Sequence, residues 1–345
     1  MKKLKVGIFG ASGYVGGELI QRLSVHKEVE IVFLGALSNA GNYICHVFPH
    51  LRNGFGLGTR KFESLDEFSG CDLLISALPQ GELPKRAKSI AGKVEHIINI
   101  AGDYRVSDSI LLQKYYPDSL LENGISSSYI VPEFTTSFNT KILNLPGCMA
   151  VAALYCLMPL VYGKNIRDNI IVDAKTGSSG GGNKKSGSHA EKCGGIFVHK
   201  LQKHRHGAEI KEFVSKILNA PVSVHMTTTS VDIPRGVLVH VHGALSGIKS
   251  ENELRKIYTQ FYKKHPFIRF VHIHGIPHGF PSTKSVLGTN YCEVSCVMDS
   301  LTNQFTAVAA LDNLVKGAAG NAIQLLNQLY HFPIEYGLEG FGVWP

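Results

Sequence analysis

Leu145-Pro146-Gly147-Cys148-Met149-Ala150-Val151-Ala152-Ala153-Leu154 sets a cysteine between a Pro-Gly turn and an apolar, helix-forming run. That spacing predicts Cys148 at or near a helix N-terminus, where the dipole favours a thiolate. A thiolate attacks an acyl carbon to form a thioester, and beside a nicotinamide that carbon becomes a hydride acceptor. A cysteine ahead of an apolar run is, taken alone, more often a small buried hydrophobe. A second motif tips the reading toward catalysis.

Gly10-Ala11-Ser12-Gly13-Tyr14-Val15-Gly16-Gly17 joins an apolar strand to a helix. Its Gly-x-x-Gly-x-x-Gly spacing is a variant of the dinucleotide fingerprint: a tight turn, close backbone approach to a pyrophosphate, and free N–H groups at the helix start. The next strand should end with the residue that reads the adenosine ribose. There the chain has Leu34-Gly35-Ala36-Leu37-Ser38, with no carboxylate to repel a 2′-phosphate. Ser38 and Asn39 offer hydrogen bonds, and NADP(H) is the expected cofactor.

Between Lys184 and His206 lie six Lys/Arg, four His and one Glu. Such a run is ordinarily a solvated face. It also carries what an acyl phosphate requires: cations for the leaving phosphate, and a proton donor and acceptor near neutrality. His204-Arg205-His206 supplies both kinds of group. No Cys or acid at ligand spacing supports a metal there, and no metal is expected. Arg105, Lys175 and Arg235 sit at strand ends or turns, as ligand groups or as salt-bridge partners. His240, His242, His272, His274 and His278 read as strand or surface histidines. Cys45, Cys71, Cys156, Cys193, Cys292 and Cys296 read as packing residues.

Positioning these groups takes a sizeable core. The 345 residues suggest two domains, 44% are apolar and 18% charged, and disorder is excluded as the main state. No apolar run is long enough to span a membrane. The net charge of +8 favours an anionic ligand or an acidic partner, but is too diffuse to demand nucleic acid. Seven cysteines without paired spacing argue against a disulfide scaffold. With no signal peptide read at the N-terminus, a cytoplasmic protein is expected.

Leu4–Phe9, Val29–Leu34, Asp72–Leu78 and Val94–Ile100 read as strands alternating with helices, hence a Rossmann-type parallel sheet. Val222–Thr229, Val237–Leu245, Ile268–His274 and Asn290–Met298 read as longer strands, with a helix over Glu251–Lys264. That is an α+β domain with a mixed or antiparallel sheet. Asn313–Leu329 reads as one long helix with Asp312 as N-cap. The expected division is a dinucleotide-binding domain over 1–147, completed by helix 313–330, and a catalytic and oligomerisation domain over 148–312.

Gly10–Glu18, Pro79-Gln80-Gly81, Val131-Pro132-Glu133, Pro146–Ala150, Lys175–Gly182, His204-Arg205-His206 with Glu209-Ile210, Gly288-Thr289-Asn290-Tyr291 and Asp312–Gly320 occur in this order. With these segments the chain resembles, over almost its whole length, the N-acetyl-gamma-glutamyl-phosphate reductase family. Gly177-Ser178-Ser179, and His189 ahead of Lys192, resemble the branch that reduces aminoadipyl or glutamyl phosphate held on an amino-group carrier protein. The resemblance implies NADPH-dependent homo-oligomers of arginine or lysine biosynthesis. It implies Cys148 as nucleophile and His204 as acid/base, with His206 and Arg105 as substrate-side neighbours. It further implies Ser12, Gly13, Tyr14 and Val15 at the coenzyme phosphates, Ala36, Leu37 and Ser38 at the ribose, and Asn313 near the nicotinamide. The substrate-side set is then Arg105, Lys175, Ser178, Ser179, His206 and Arg235. Leu37 stands where relatives usually carry Arg, and Gln80 where His is common. A non-catalytic dinucleotide sensor is the alternative of another class, and joint retention of Cys148, His204 and Asn313 speaks against it.

Overall fold

The computed structural model describes residues 2–52, 56–119, 124–182, 194–273, 275 and 279–343. The chain forms two compact units, Met1–Pro146 with Ala318–Glu339, and Gly147–Gly317 with Gly340–Pro345.

The first unit is built on β1 (Leu4–Phe9), β2 (Val29–Ala36), β3 (Glu63–Ser64), β4 (Leu73–Ser76), β5 (His96–Asn99), β6 (Ser127–Tyr129) and β7 (Ile142–Asn144). They pair in the order β3-β2-β1-β4-β5-β7-β6, all parallel. The central strands are apolar throughout because a parallel sheet is covered on both faces; every residue of β4 is buried. The order reverses direction at β1, so the crevice for a ligand opens at the carboxyl ends of β1 and β4. Phe9, Phe33 and Phe68 form an aromatic cluster at the heart of this core.

The helix Gly320–Leu329 belongs to this unit, held by Gln324 donating to Glu133 Oε1 (2.8 Å) and Gln328 to the Pro132 carbonyl (2.9 Å). Buried His26 meets Asn327 Oδ1 at 2.9 Å through Nε2 and accepts from the Glu28 N–H through Nδ1. The segment from Asn313 is not one helix as expected. Asp312 does cap it, Oδ1 accepting from the Leu314 and Val315 N–H groups. A π-turn over Val315–Ala319 comes first, however, and the α-helix begins only at Gly320. Gly317, inside that turn, packs closely against Cys148.

The second unit carries β8 (Ile166–Thr176), β9 (Phe197–Lys200), β10 (Ser223–Ser230), β11 (Val237–Leu245), β12 (Ile268–Phe270), β13 (Cys292–Asp299) and β14 (Gln304–Leu311). The order is β12-β13-β14-β11-β8-β10-β9. β8 runs parallel to β10 and β12 to β13, the other pairs being antiparallel, so the sheet is mixed. Period-two alternation turns Val172, Ala174, Val237, Val239, Val241, Ala307 and Ala309 to one buried face. The helices Cys148–Tyr162, Arg205–Leu218 and Glu251–Tyr262 pack on this sheet. The first of these helices is apolar all round and buried from Met149 to Val161, as a core helix must be. Tyr258 donates its hydroxyl to the Cys156 carbonyl, and Tyr262 to that of Tyr155.

Candidate active site

Cys148 is the first residue of its helix, with Gly147 as the N-cap in extended conformation and no acid in the first turn. Unlike Cys156, Cys292 and Cys296, which are buried, Cys148 is half-exposed. It combines access with the positive end of a fifteen-residue helix dipole. Burial pushes the Cys71 thiol up to about 12, as befits a packing residue; Cys193 lies outside the described residues.

Two glycines shape the space around Cys148. A Cβ at Gly317 would lie 2.6 Å from Cys148 Cβ, so the π-turn can press against the cysteine only because residue 317 has no side chain. A Cβ at Gly147 would overlap the His206 ring, with Cδ2 at 2.5 Å. That ring therefore lies against the turn that delivers Cys148.

His206 and Glu209 are spaced i, i+3 on the helix Arg205–Leu218 and share a face. Glu209 is buried and accepts the Gly147 N–H at Oε2 (2.9 Å), while its Oε1 is 3.9 Å from His206 Nε2. One carboxylate thus holds the cysteine turn and faces the histidine. His204 has a different place. It is the N-cap of the same helix, its Nδ1 accepting from the His206 N–H at 3.2 Å, and its ring packs 4.6 Å from that of His206. Burial pushes its pKa down to about 3, with Arg205, His199 and Lys200 adding to the shift. A ring so held stays neutral near pH 7. His206 thus lies against the turn that delivers Cys148, and His204 caps the helix that carries His206.

Around Asp312 and Asn313 four segments are tied together. Asp312 pairs with Arg235 (Oδ2 to Nη2, 3.1 Å) and accepts the Gly288 N–H (2.8 Å). Asn313 Oδ1 accepts the Gly236 N–H (2.7 Å), and its Nδ2 donates to Ser179 Oγ (2.9 Å). Ser178 and Ser179 are stitched to the carbonyls of Ile233 and Pro234. The amide expected near a nicotinamide is engaged at both ends as a strut for the Ser178–Gly181 turn. Lys175 has its partners outside this cluster. It pairs with Asp173 and lies 3.4 Å from His240 Nδ1, on the strand face opposite buried Val172 and Ala174. Alternation along β8 turns its side chain to the face opposite Val172 and Ala174.

The first unit holds the glycine turn. Gly10 has φ +76° and its Cβ would lie 2.5 Å from the Ala77 carbonyl oxygen, which fixes the turn after β1 against the one after β4. Gly13 caps the helix Tyr14–Leu23 without a side-chain hydrogen bond, and no acid occupies the first turn. Ser12, Tyr14 and Val15 surround this helix start. Uncapped N–H groups at the end of a ten-residue helix fit a pyrophosphate. Buried Ala36 closes β2, with Leu37 and Ser38 exposed beyond it. Arg105 is buried and donates to the Ile100 carbonyl (2.6 Å). Among the described residues no group of three or more His, Cys, Asp or Glu could hold a metal. His240 stacks on His242 along β11, while His272 lies past the end of β12 with its side chain buried and meets Ser295 Oγ at 3.1 Å, so it is neither a strand nor a surface histidine. His189, Lys192, His274 and His278 lie outside the described residues.

The packing of Glu209 and Gly317 against the cysteine turn escaped the sequence reading. The signal for Glu209 was available: an acid three residues after a histidine in a helix-compatible run.

Residues 5–141 match the NAD binding domain of semialdehyde dehydrogenase, and residues 148–313 its dimerisation domain. The chain is 36% identical to N-acetyl-gamma-glutamyl-phosphate reductase 1 of Lactiplantibacillus plantarum, over 99% of this chain and 100% of that protein. It is also 36% identical to a putative [LysW]-L-2-aminoadipate/[LysW]-L-glutamate phosphate reductase of Nitrosopumilus maritimus, over 97% and 98%. Among solved structures, aspartate semialdehyde dehydrogenase II of Vibrio cholerae shares the fold, with TM-score 0.74 and 19% identity over 96% of this chain and 99% of that one. The same enzyme of Candida albicans, solved with NADP, gives 0.66 and 16% over 95% and 99%. The chain belongs to the N-acetyl-gamma-glutamyl-phosphate reductase family of NAD(P)-binding acyl-phosphate reductases, and is an oxidoreductase of the semialdehyde dehydrogenase type.

Proposed function

We propose that this chain reduces the acyl phosphate of an N-masked glutamate or 2-aminoadipate to its semialdehyde, releasing phosphate, with NADPH as reductant. The observation that carries the reading is the half-exposed Cys148 at a helix start, braced by the His206–Glu209 pair. Gly10, Ser12, Gly13, Tyr14 and Val15 would hold the coenzyme phosphates, and the carboxylate-free end of β2 would accept a 2′-phosphate. When bound, the nicotinamide supplies hydride to the acyl carbon.

The chain's own residues do the rest. Cys148 Sγ attacks the acyl carbon; the C–S bond forms as the C–O bond to phosphate breaks, and phosphate leaves with the electron pair. The thioester keeps the carbon in place for reduction. After reduction the thiohemiacetal oxyanion collapses, the C–S bond breaks, and the aldehyde departs, leaving the thiolate. His206 moves the proton at Sγ and at that oxygen, and Glu209 holds the ring. Ser178, Ser179 and Arg235 form the substrate side of the second unit.

The finer reading is a substrate linked to an acidic carrier protein, which the basic balance of the chain favours; the Nitrosopumilus relative carries LysW in its name. Free N-acetylglutamyl phosphate is the second reading, supported by the Lactiplantibacillus relative. The cytoplasm, where such substrates are made, is the proposed location. A second copy would cover the half-buried residues Leu238, His240, Thr306 and Val308 on the outer sheet face. The test is phosphate-dependent NADP reduction with both semialdehydes, free and carrier-bound. Turnover of one of them supports the proposal, failure of all four removes it, and better turnover with NAD removes the NADP assignment.

A further inference from the structure

Asp103 is fully buried, among the turns that follow β4 and β5. Its Oδ1 accepts the Gly81 N–H (2.9 Å) and the Ser119 hydroxyl (2.8 Å), while its main-chain carbonyl accepts from Asn99 Nδ2 (2.9 Å). Asn99 in turn accepts the Ala101 N–H and donates to Asn144. Asp103 Oδ2 has no partner among the described residues. Burial pushes the carboxyl pKa up, against the opposing Gly81 N–H, Ser119 hydroxyl and Arg105.

The two turns meet tightly. A Cβ at Gly102 would lie 3.0 Å from Gln80 Oε1, and Tyr104, next to Asp103, is held at φ +62°. A bulky residue in that region persists only where its surroundings over-determine it. The β4 turn also abuts the glycine turn, through the close approach of Gly10 to Ala77. The turns after β1, β4 and β5 therefore stack side by side along the carboxyl edge, where a dinucleotide lies in such sheets.

We infer that Asp103 is a positioning residue for coenzyme binding: its buried carboxyl pins the Pro79–Gly81 turn to the Ala101–Arg105 turn and so shapes one wall of the dinucleotide crevice. The inference rests on the first unit being the coenzyme domain. Charge is not what the clamp needs; an acceptor at Oδ1 is.

The experiment is a fluorescence titration of the full-length protein with NADPH, beside steady-state kinetics. Asp103→Ala should weaken NADPH binding about tenfold, as expected for loss of a buried hydrogen-bonded acid, and raise the coenzyme KM alike, with kcat at saturation within about threefold. Asp103→Asn keeps the acceptor and should stay within about threefold of wild type. Wild-type affinity in Asp103→Ala, or equal damage in Asp103→Asn, overturns the inference. Should Asp103→Ala fail to fold, Ser119→Ala removes one of the two bonds to Oδ1. It should cost about threefold in affinity with only a small fall in melting temperature, and no loss of affinity overturns the inference. Failure of the wild type itself to bind NADPH is a distinct result, which overturns the coenzyme assignment and this inference with it.

Discussion

The ring of His206 lies directly against Gly147, the residue that turns the chain into the helix headed by Cys148. The same Gly147 donates its N–H to Glu209, one helical turn beyond His206. Nucleophile turn, imidazole and carboxylate are thereby locked into one arrangement with little room for a side chain.

Gly147→Ala should accordingly uncouple the imidazole from the thiol. Its methyl would displace the ring by ångströms, and misplacement on that scale costs roughly a hundredfold in kcat. The melting temperature should fall by less than a core cavity would cause. Steady-state kinetics with thermal unfolding checks this, and near-wild-type kcat would contradict it.

His204 and His206 should separate cleanly under mutation. His206→Asn should lower kcat by about a hundredfold or more, the range of positioned acid–base groups. His204→Ala should chiefly remove a helix cap, at about 1 kcal/mol of stability, with a smaller effect on kcat. Because the His204 pKa is pushed down to about 3, no limb of the pH–rate profile between pH 5 and 8 should vanish in His204→Ala. The reverse pattern would return the proton role to His204.

Glu209→Gln keeps an acceptor for the Gly147 N–H but loses the charge facing His206. The variant should fold and should slow alkylation of Cys148 by iodoacetamide near neutral pH. Alkylation at the wild-type rate would show that the carboxylate does not act through the histidine.

Acid should destabilise the protein through His26. Burial lowers its folded-state pKa below the ordinary 6.5, so the unfolded chain takes up the proton first. The stability it contributes is present above about pH 6.5 and is lost as pH falls below that value. Protonation also removes the acceptor for the Glu28 N–H. The melting temperature should drop from pH 7 to pH 5, and His26→Gln should flatten that slope. An unchanged slope would contradict the assignment.

Much of this was legible in the chain. The glycine turn after β1 and the cysteine after Pro146-Gly147 were readable because each combines a backbone requirement with a strand or helix signal. β1 and β11 could be bounded to the residue, since their apolar runs end at clear turns. The helix Arg205–Leu218 was hidden by composition: its start lies in a cation-rich run that reads as solvated surface, so the shared face of His206 and Glu209 went unseen. The π-turn at Val315–Ala319 was invisible for another reason. It packs Gly317 against Cys148, far apart in sequence, and periodicity carries no trace of such a contact.

The covalent step can be watched without turnover. Incubated with an acyl phosphate substrate and no coenzyme, the protein should gain the mass of one acyl group on Cys148, located by peptide mass spectrometry and discharged on adding NADPH. Absence of that adduct in an active preparation, or full activity in Cys148→Ala, would contradict the account.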